Sequence, residues 1–259
     1  MDQPTETGAL DRFDSAAATR TGRRPNNEDA YCLAPELGLY AVADGLGGYE
    51  GGEIASDLAI STLANLIRAR RAEMDRQPLS DGTERLTYWE NALIEGTRLA
   101  HQQIVDRQVG SLAMMGTTLA AILLVDRTAV VCHVGDSRIY SLRNRELKRL
   151  TRDHTLYAEM LTRGFDPGED QRPIYANELT RALGGEGNAD PDLARVPTLA
   201  GDVFLLCTDG LYESLHDEQM AQVLQAPSAQ EACDQLVREA AEQLGMDNMT
   251  AVVVRVLDG

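Results

Sequence analysis

The chain is short of positive charge. It carries 24 Lys and Arg against 41 Asp and Glu, a formal net charge of −17 over 259 residues. Sequence-independent nucleic-acid binding needs Lys and Arg to displace counterions, so that class is excluded, and so is attachment to an anionic membrane surface. Long apolar runs are missing too. The longest uncharged stretch, 108–125, is short for a bilayer span and contains Gly116, Thr117 and Thr118. The first ten residues have neither the basic flank nor the apolar core of a signal peptide. Cysteine is scarce: Cys32, Cys132, Cys207 and Cys233 form no C-x-x-C pair, and three of them lie in apolar runs. That pattern reads as buried free thiols in a reducing cytoplasm. No Pro/Gly/Ser-rich linker divides the chain, so a single domain is expected over 12–259, preceded by a loose, polar segment at 1–11.

What is present begins with A-V-A-D-G-L-G-G-Y-E-G-G-E-I-A-S at 41–56. An apolar run over 39–43 ends in Asp44-Gly45, further glycines follow, and a helical pattern starts near Glu53. A carboxylate at the end of a buried strand is costly unless something offsets its charge. Glycines let the backbone come close to a bound ion or substrate. Asp44 is therefore expected to be a metal ligand, with the Gly45 carbonyl able to join it. A dinucleotide fingerprint would need glycine where Glu50 stands and an acid about 20 residues on, and a phosphate loop would need Gly-Lys-Ser/Thr. Neither pattern is met. A solvated turn Asp is the bland alternative for one such site.

The same grammar recurs. Glu28-Asp29 precedes the apolar run 30–33, Asp136 follows 128–134, Asp209 follows 203–207, and Asp247 precedes 250–256. The two runs around Asp126-Arg127 predict a hairpin. Leu179–Leu183 and Val196–Leu199 read as short strands. Amphipathic periodicity predicts helices over 54–70 and 86–104, with a polar loop over 71–84 between them. Ser228-Ala229-Gln230-Glu231 is a capping box opening another helix, whose buried side is expected to carry Cys233, Leu236, Val237, Ala240 and Leu244. A polar Gly/Pro-containing segment at 164–177 has the length of a functional loop. His154, just before it, reads as a helix-start residue bonded to backbone.

Five acidic sites at strand ends could gather at one edge of stacked sheets, where bound metals would relieve their repulsion. Oxygen ligands without a His or Cys cluster select Mg²⁺ or Mn²⁺ over Zn²⁺. Paired hard cations suit phosphate-ester hydrolysis. Arg24 would add a fork for the phosphate.

At this point the sequence resembles the metal-dependent, type 2C Ser/Thr protein phosphatases in their bacterial form. The resemblance rests on R-P-N-N-E-D (24–29), A-D-G-L-G-G-Y-E-G-G-E-I-A-S (43–56), G-T-T (116–118), G-D-S-R (135–138), L-T-R-A-L-G (179–184), C-T-D-G-L (207–211) and D-N-M-T (247–250), in the family's order over nearly the whole chain. It implies an α+β fold, a four-layer α/β/β/α sandwich of two mainly antiparallel sheets flanked by helices. It implies that Asp44 bridges two ions, one also held by Asp209 and Asp247 and the other by Glu28 and the Gly45 carbonyl. Asp29 would hold water near them, Arg24 would bind substrate phosphate, and Asp136 with Asp209 would take a third ion. Residues 155–177 would be a flap beside the site. The implied enzyme is a monomeric cytoplasmic phosphatase acting on phosphoserine and phosphothreonine in proteins, opposite a Ser/Thr kinase. Leu46 departs from members with His at that position, and leaves the proton donor to the leaving group unassigned. An inert binding module would be marked by lost metal acids, and none is lost. A two-metal nuclease is disfavoured by charge and motif order.

Overall fold

The computed structural model describes residues 6–10, 12–47, 51–186 and 189–257. Its longer strands run through the apolar stretches read from the sequence. One sheet contains β1 (Glu6–Leu10), β2 (Phe13–Arg20), β12 (Met249–Val256), β11 (Val203–Cys207), β8 (Arg138–Arg143) and β9 (Glu146–Arg149), in that order across the sheet. The other contains β10 (Asp192–Pro197), β7 (Thr128–Val134), β6 (Leu119–Val125), β4 (Leu39–Leu46) and β3 (Asp29–Ala34), with the short β5 (Gly116–Thr117) paired to the end of β4. Every pairing is antiparallel.

The strands are apolar on both faces because both faces are covered. Side chains alternate across a strand, and here each alternate set enters a different core. Tyr40 and Val42 of β4, Ile122 of β6, Phe204 and Leu206 of β11, and Val252 and Val254 of β12 meet between the two sheets. Leu39, Ala41, Leu119 and Leu123 point the other way, against α1 (Gly51–Arg76) and α2 (Gly82–Val105). Leu205, Cys207, Ala251 and Val253 pack against α6 (Asp217–Val223) and α7 (Ala229–Gln243). The result is the four-layer α/β/β/α sandwich, and its α+β class follows from antiparallel sheets with helices on the outer faces.

Several local expectations change. Glu6–Leu10, expected to be loose, forms β1 against β2. The helix α1 runs to Arg76, six residues beyond the sequence pattern (76 − 70), which leaves only 77–81 as the connection. Asp81 caps α2 by accepting from the N–H groups of Thr83 and Glu84. Residues 179–183 are not a strand. Their ordering comes from two isolated bridges, Thr155 with Leu179 and Thr117 with Leu183. The polar segment contains a short helix, α4 (Arg172–Ala176), after α3 (Leu156–Thr162). Leu244 lies at the end of α7 and is 52% exposed, outside the apolar face assigned to it. Ser228 caps α7 by accepting from Glu231 N–H at 3.2 Å, the first half of the expected capping box. All four cysteines are free and buried. No helix among the described residues is long and apolar enough to cross a membrane.

The inter-sheet core should dominate stability. Phe204 is fully buried at its centre, so Phe204→Ala should cost about 3–5 kcal/mol, measured by urea unfolding. A loss below about 1 kcal/mol would mean that the two sheets do not depend on this contact.

Candidate active site

The acids predicted at strand ends converge because the strands end together. In the β3–β4 pairing Asp29 stands directly opposite Asp44. Asp209 follows β11, Asp136 follows β7, and Asp247 precedes β12. One cleft of about 590 Å³ is lined by Glu28, Asp44, Asp136, Asp209 and Asp247, with Arg24 and Gly45 beside them. Asp29 is not part of the lining. Its Oδ2 accepts from the hydroxyls of Thr208 (2.8 Å) and Thr250 (2.6 Å). These threonines belong to the opposite sheet, so Asp29 joins the two sheets under the cleft.

The threonines of the recognised motifs are positioning groups. Asp44 N–H donates to Thr118 Oγ1 at 2.9 Å, and Asp44 C=O accepts from Thr118 N–H and from Thr117 Oγ1. Thr118 Oγ1 also meets Ser137 Oγ at 2.7 Å. The Gly-Thr-Thr and Gly-Asp-Ser-Arg stretches thus lock together beside Asp44 and Asp136. Asn248 does the same for the Arg24–Asp29 stretch. Its Oδ1 accepts from Glu28 N–H, and its Nδ2 donates to the carbonyls of Thr21 and Asn26. Gly45 N–H donates to Glu28 C=O at 3.1 Å, and a Cβ on Gly45 would run into the carbonyl oxygens of Gly52 and Glu28. The expected glycine loop is therefore required by close backbone approach at this point; residues 48–50 of it lie outside the described residues.

The electrostatics follow from burial. The carboxyls of Asp44 and Asp209 face each other in the cleft, where two charged carboxylates would repel. Burial and then Asp209 push Asp44 well above the ordinary carboxylate range. Asp209 is raised by burial and then by Asp247. Asp136 is pushed to about 8 by burial and by Asp209, and Asp29 to about 7 chiefly by burial. Glu28 is raised by burial, against the lowering effect of Arg24. Buried oxygens Oδ1 of Asp29 and Oδ1 of Asp209 have no hydrogen-bond partner. Polar atoms in that condition are costly and call for an occupant.

Arg24 sits at the rim with its Nη2 2.6 Å from Asp247 Oδ2. Arg138, an available partner for Asp136 in a purely structural reading, is instead bound through two nitrogens to Asp153, at 3.1 and 2.7 Å, and lies over the Tyr212 ring. Asp136 is therefore left facing the cleft. The sequence reading missed Asn177, Leu179, Glu213 and Asn248 as lining residues. Asn248 stood inside a quoted motif and was discoverable there; Glu213 and Asn177 carry no signal in the sequence. Leu46 lines the cleft and has no proton to give.

Comparison with known proteins agrees with this geometry. The protein phosphatase 2C family model matches residues 21–258. The serine/threonine protein phosphatase PstP of Mycobacterium tuberculosis is 36% identical over 236 residues, 91% of this chain and 43% of PstP. The chain thus spans less than half the length of that relative. The serine/threonine phosphatase stp of Listeria monocytogenes is 33% identical over 218 residues, 83% of each chain. Among solved structures, the catalytic domain of PstP in complex with two manganese ions is 35% identical and superimposes with a TM-score of 0.78, covering 95% of this chain and 99% of that one. With the family model matching residues 21–258 and the sandwich superimposing on solved members, the chain belongs to the protein phosphatase 2C family.

Proposed function

We propose that this protein is a metal-dependent serine/threonine protein phosphatase. The observation that carries the reading is the single cleft lined by Glu28, Asp44, Asp136, Asp209 and Asp247 with Arg24 at its rim. So many buried carboxyls cannot all ionise beside one another without cations. The donors are hard oxygens, as Mn²⁺ or Mg²⁺ requires. The unpartnered Oδ1 of Asp209 and the mutual repulsion of Asp44 and Asp209 fit sites that cations would complete. Among the described residues, the acids of the cleft are not packed into one compact ligand trio. Such spacing suits ions that keep several waters. In our reading Asp44, Asp209 and Asp247 would hold one ion, Asp44, Glu28 and the Gly45 carbonyl would hold another, and Asp136 with Asp209 would hold a third.

Bound there, divalent ions would neutralise phosphoryl oxygens and lower the pKa of water to make a nucleophile. The chain supplies the alignment. Thr117 and Thr118 fix the backbone on both sides of Asp44, and Asn248 fixes Glu28, so the donors are set before substrate arrives. Asp29 anchors the Thr208 and Thr250 ends of the facing sheet, which places Asp209 and Asp247 opposite Asp44. Arg24 rests on Asp247; once Asp247 is engaged elsewhere, the guanidinium is free to grip a phosphate with its planar fork. Leu46 gives the serine or threonine leaving group an apolar neighbour, and the proton it needs comes from water. Exposed apolar side chains on the segment 155–177, Leu161, Phe165 and Ile174, face solvent and would meet a protein substrate. Phosphorylated proteins are the proposed substrates, opposite a Ser/Thr kinase, and the enzyme is proposed to act as a monomer in the cytoplasm, where its four unpaired cysteines would stay reduced.

Three outcomes are expected. EDTA should abolish phosphopeptide hydrolysis and Mn²⁺ or Mg²⁺ should restore it, while Asp44→Asn should be inactive under both conditions; full activity after exhaustive metal removal would end this reading. Arg24→Ala should raise KM by about 10- to 100-fold, the worth of a charged hydrogen bond, with kcat changed far less. An equal loss in kcat and kcat/KM would show instead a contact made only in the transition state. The third concerns pH. Asp29 and Asp136 hold their protons up to about 7 and about 8 in the folded chain, far above their unfolded values. Such groups stabilise the fold while protonated, and that stability is lost as pH rises through the folded values. The metal-free protein should therefore melt at lower temperature at pH 8.5 than at pH 6.5, and Mn²⁺ should raise its Tm more at the higher pH. A metal-free Tm that climbs over this window would contradict the raised carboxyls of Asp29 and Asp136.

A further inference from the structure

Beside the Gly135–Asp136 turn, the described residues contain one compact trio of potential ligands: His133, His154 and Asp192, with donor atoms within 4.8 Å of one another. The two imidazoles are buried and stacked, with ring centroids 4.5 Å apart. The hydrogen bonds argue against a metal. His133 Nε2 lies 2.8 Å from the Arg152 carbonyl oxygen, which can only accept, so that nitrogen carries the proton. Gly135 N–H donates to His154 Nδ1 at 3.1 Å, so Nδ1 keeps its lone pair for the backbone. The proton of the neutral His154 ring then sits on Nε2, 3.3 Å from Asp192 Oδ2. Nε2 makes no hydrogen bond at that distance, but with the Nδ1 lone pair taken by Gly135 N–H the neutral ring has none left for a cation. Burial, and then the adjacent His133, hold His154 down to about 4, which keeps the ring neutral.

His154 stands between two parts of the cleft. Its bond with Gly135 is reciprocal, because His154 N–H donates to Gly135 C=O at 2.9 Å. Gly135 has φ +100°, and a Cβ there would press into the Thr118 side chain, so the turn that delivers Asp136 has no room to adjust. On the other side, His154 C=O accepts from Thr180 N–H, and Leu156 N–H donates to Glu178 C=O, both at 2.8 Å. The two ends of the segment 155–177 therefore meet at His154. Just beyond its return lie Asn177 and Leu179, which line the cleft with Asp136.

We propose that His154 is a positioning residue that ties the Gly135–Asp136 turn to the base of the 155–177 segment, holding the Asp136 carboxylate in register with the cleft wall of Asn177 and Leu179. Its consequence for turnover rests on the phosphatase reading above; the mechanical link between the two segments does not.

The tautomer can be read in the wild-type protein. ¹⁵N NMR of the imidazoles should show His154 protonated on Nε2 alone at neutral pH, and added Zn²⁺ should leave its signals unchanged. Two variants then test the link. His154→Asn keeps an acceptor near the Nδ1 position, whereas His154→Gln puts its polar group near Nε2 and removes that acceptor. In amide hydrogen exchange on the metal-free proteins, Gly135, Leu156 and Thr180 should exchange about tenfold faster in the Gln variant, the worth of one net hydrogen bond. The Asn variant should stay near wild type, and the amides of β11 and β12 should be unchanged in both. Phosphopeptide kcat should drop about tenfold in His154→Gln and recover in His154→Asn. An Nδ1–H tautomer, Zn²⁺-shifted His154 signals, or a Gln variant with wild-type exchange would each overturn the proposal, and the NMR result decides even if neither variant folds. Wild-type protein showing the expected exchange pattern but no phosphatase activity would overturn the catalytic reading and leave the link standing.

Discussion

Everything in this molecule is arranged around the repulsion of carboxylates. Asp209 pushes the Asp44 carboxyl toward the protonated form in the cleft, and Glu28, Asp136 and Asp247 surround them. Holding such a cluster together costs free energy that a flexible loop could not sustain. The chain solves this by fixing each acid at the end of a strand within a closely packed sandwich. Moving any acid away would mean shifting a strand whose two faces lie in two different cores. The cleft is thus strained electrostatically and rigid mechanically, the combination a cation site needs to be preorganised.

The rigidity has an identifiable centre. Asp29 sits on β3 yet accepts from Thr208 and Thr250 of the opposite sheet. Thr250 N–H donates to Thr208 Oγ1 at 3.0 Å, and Thr250 Oγ1 meets Thr19 Oγ1 at 2.7 Å. Asn27 Nδ2 reaches the same Thr19 hydroxyl at 2.8 Å. This hydroxyl network crosses the gap between the sheets at their common end, where the apolar inter-sheet core gives way to the cleft. It also explains why the acids alone would not suffice. A sandwich with the same carboxylates but apolar residues at 19, 208 and 250 would leave Asp29 without any partner.

The sequence made the architecture legible because strands buried on both faces read as uninterrupted apolar runs, such as 119–125 and 251–254. The acids were legible for a related reason: a charged residue abutting such a run has few ways to be solvated. What the sequence left hidden shares a different property. Residues 179–183 look apolar enough for a strand, but they pair through single bridges to Thr155 and Thr117, and no local pattern distinguishes a bridge from a ladder. The helices α4 and α6 are too short for periodicity to register. Glu213 and Asn177 enter the cleft only because α5 (Asp209–Tyr212) and the 155–177 segment fold over it. Leu244 was assigned by helical spacing to the buried face of α7, but the helix has already ended there and the core has run out.

Arg24 shows how the strength of an ion pair decides whether it can exchange. Its Nη2 lies 2.6 Å from Asp247, and its charge also acts on Glu28 and Asp209. More than half of its side chain is exposed, so this pair is screened and weak on its own. A divalent ion at Asp247 would carry twice the charge to a more buried position and displace the guanidinium without large loss. The weakness of the ion pair is therefore what would let Arg24 leave Asp247 for a phosphate in the proposed function. A buried, bidentate pair such as Arg138 with Asp153 could not exchange in this way, and it is placed where exchange is not wanted, behind the turn that carries Asp136.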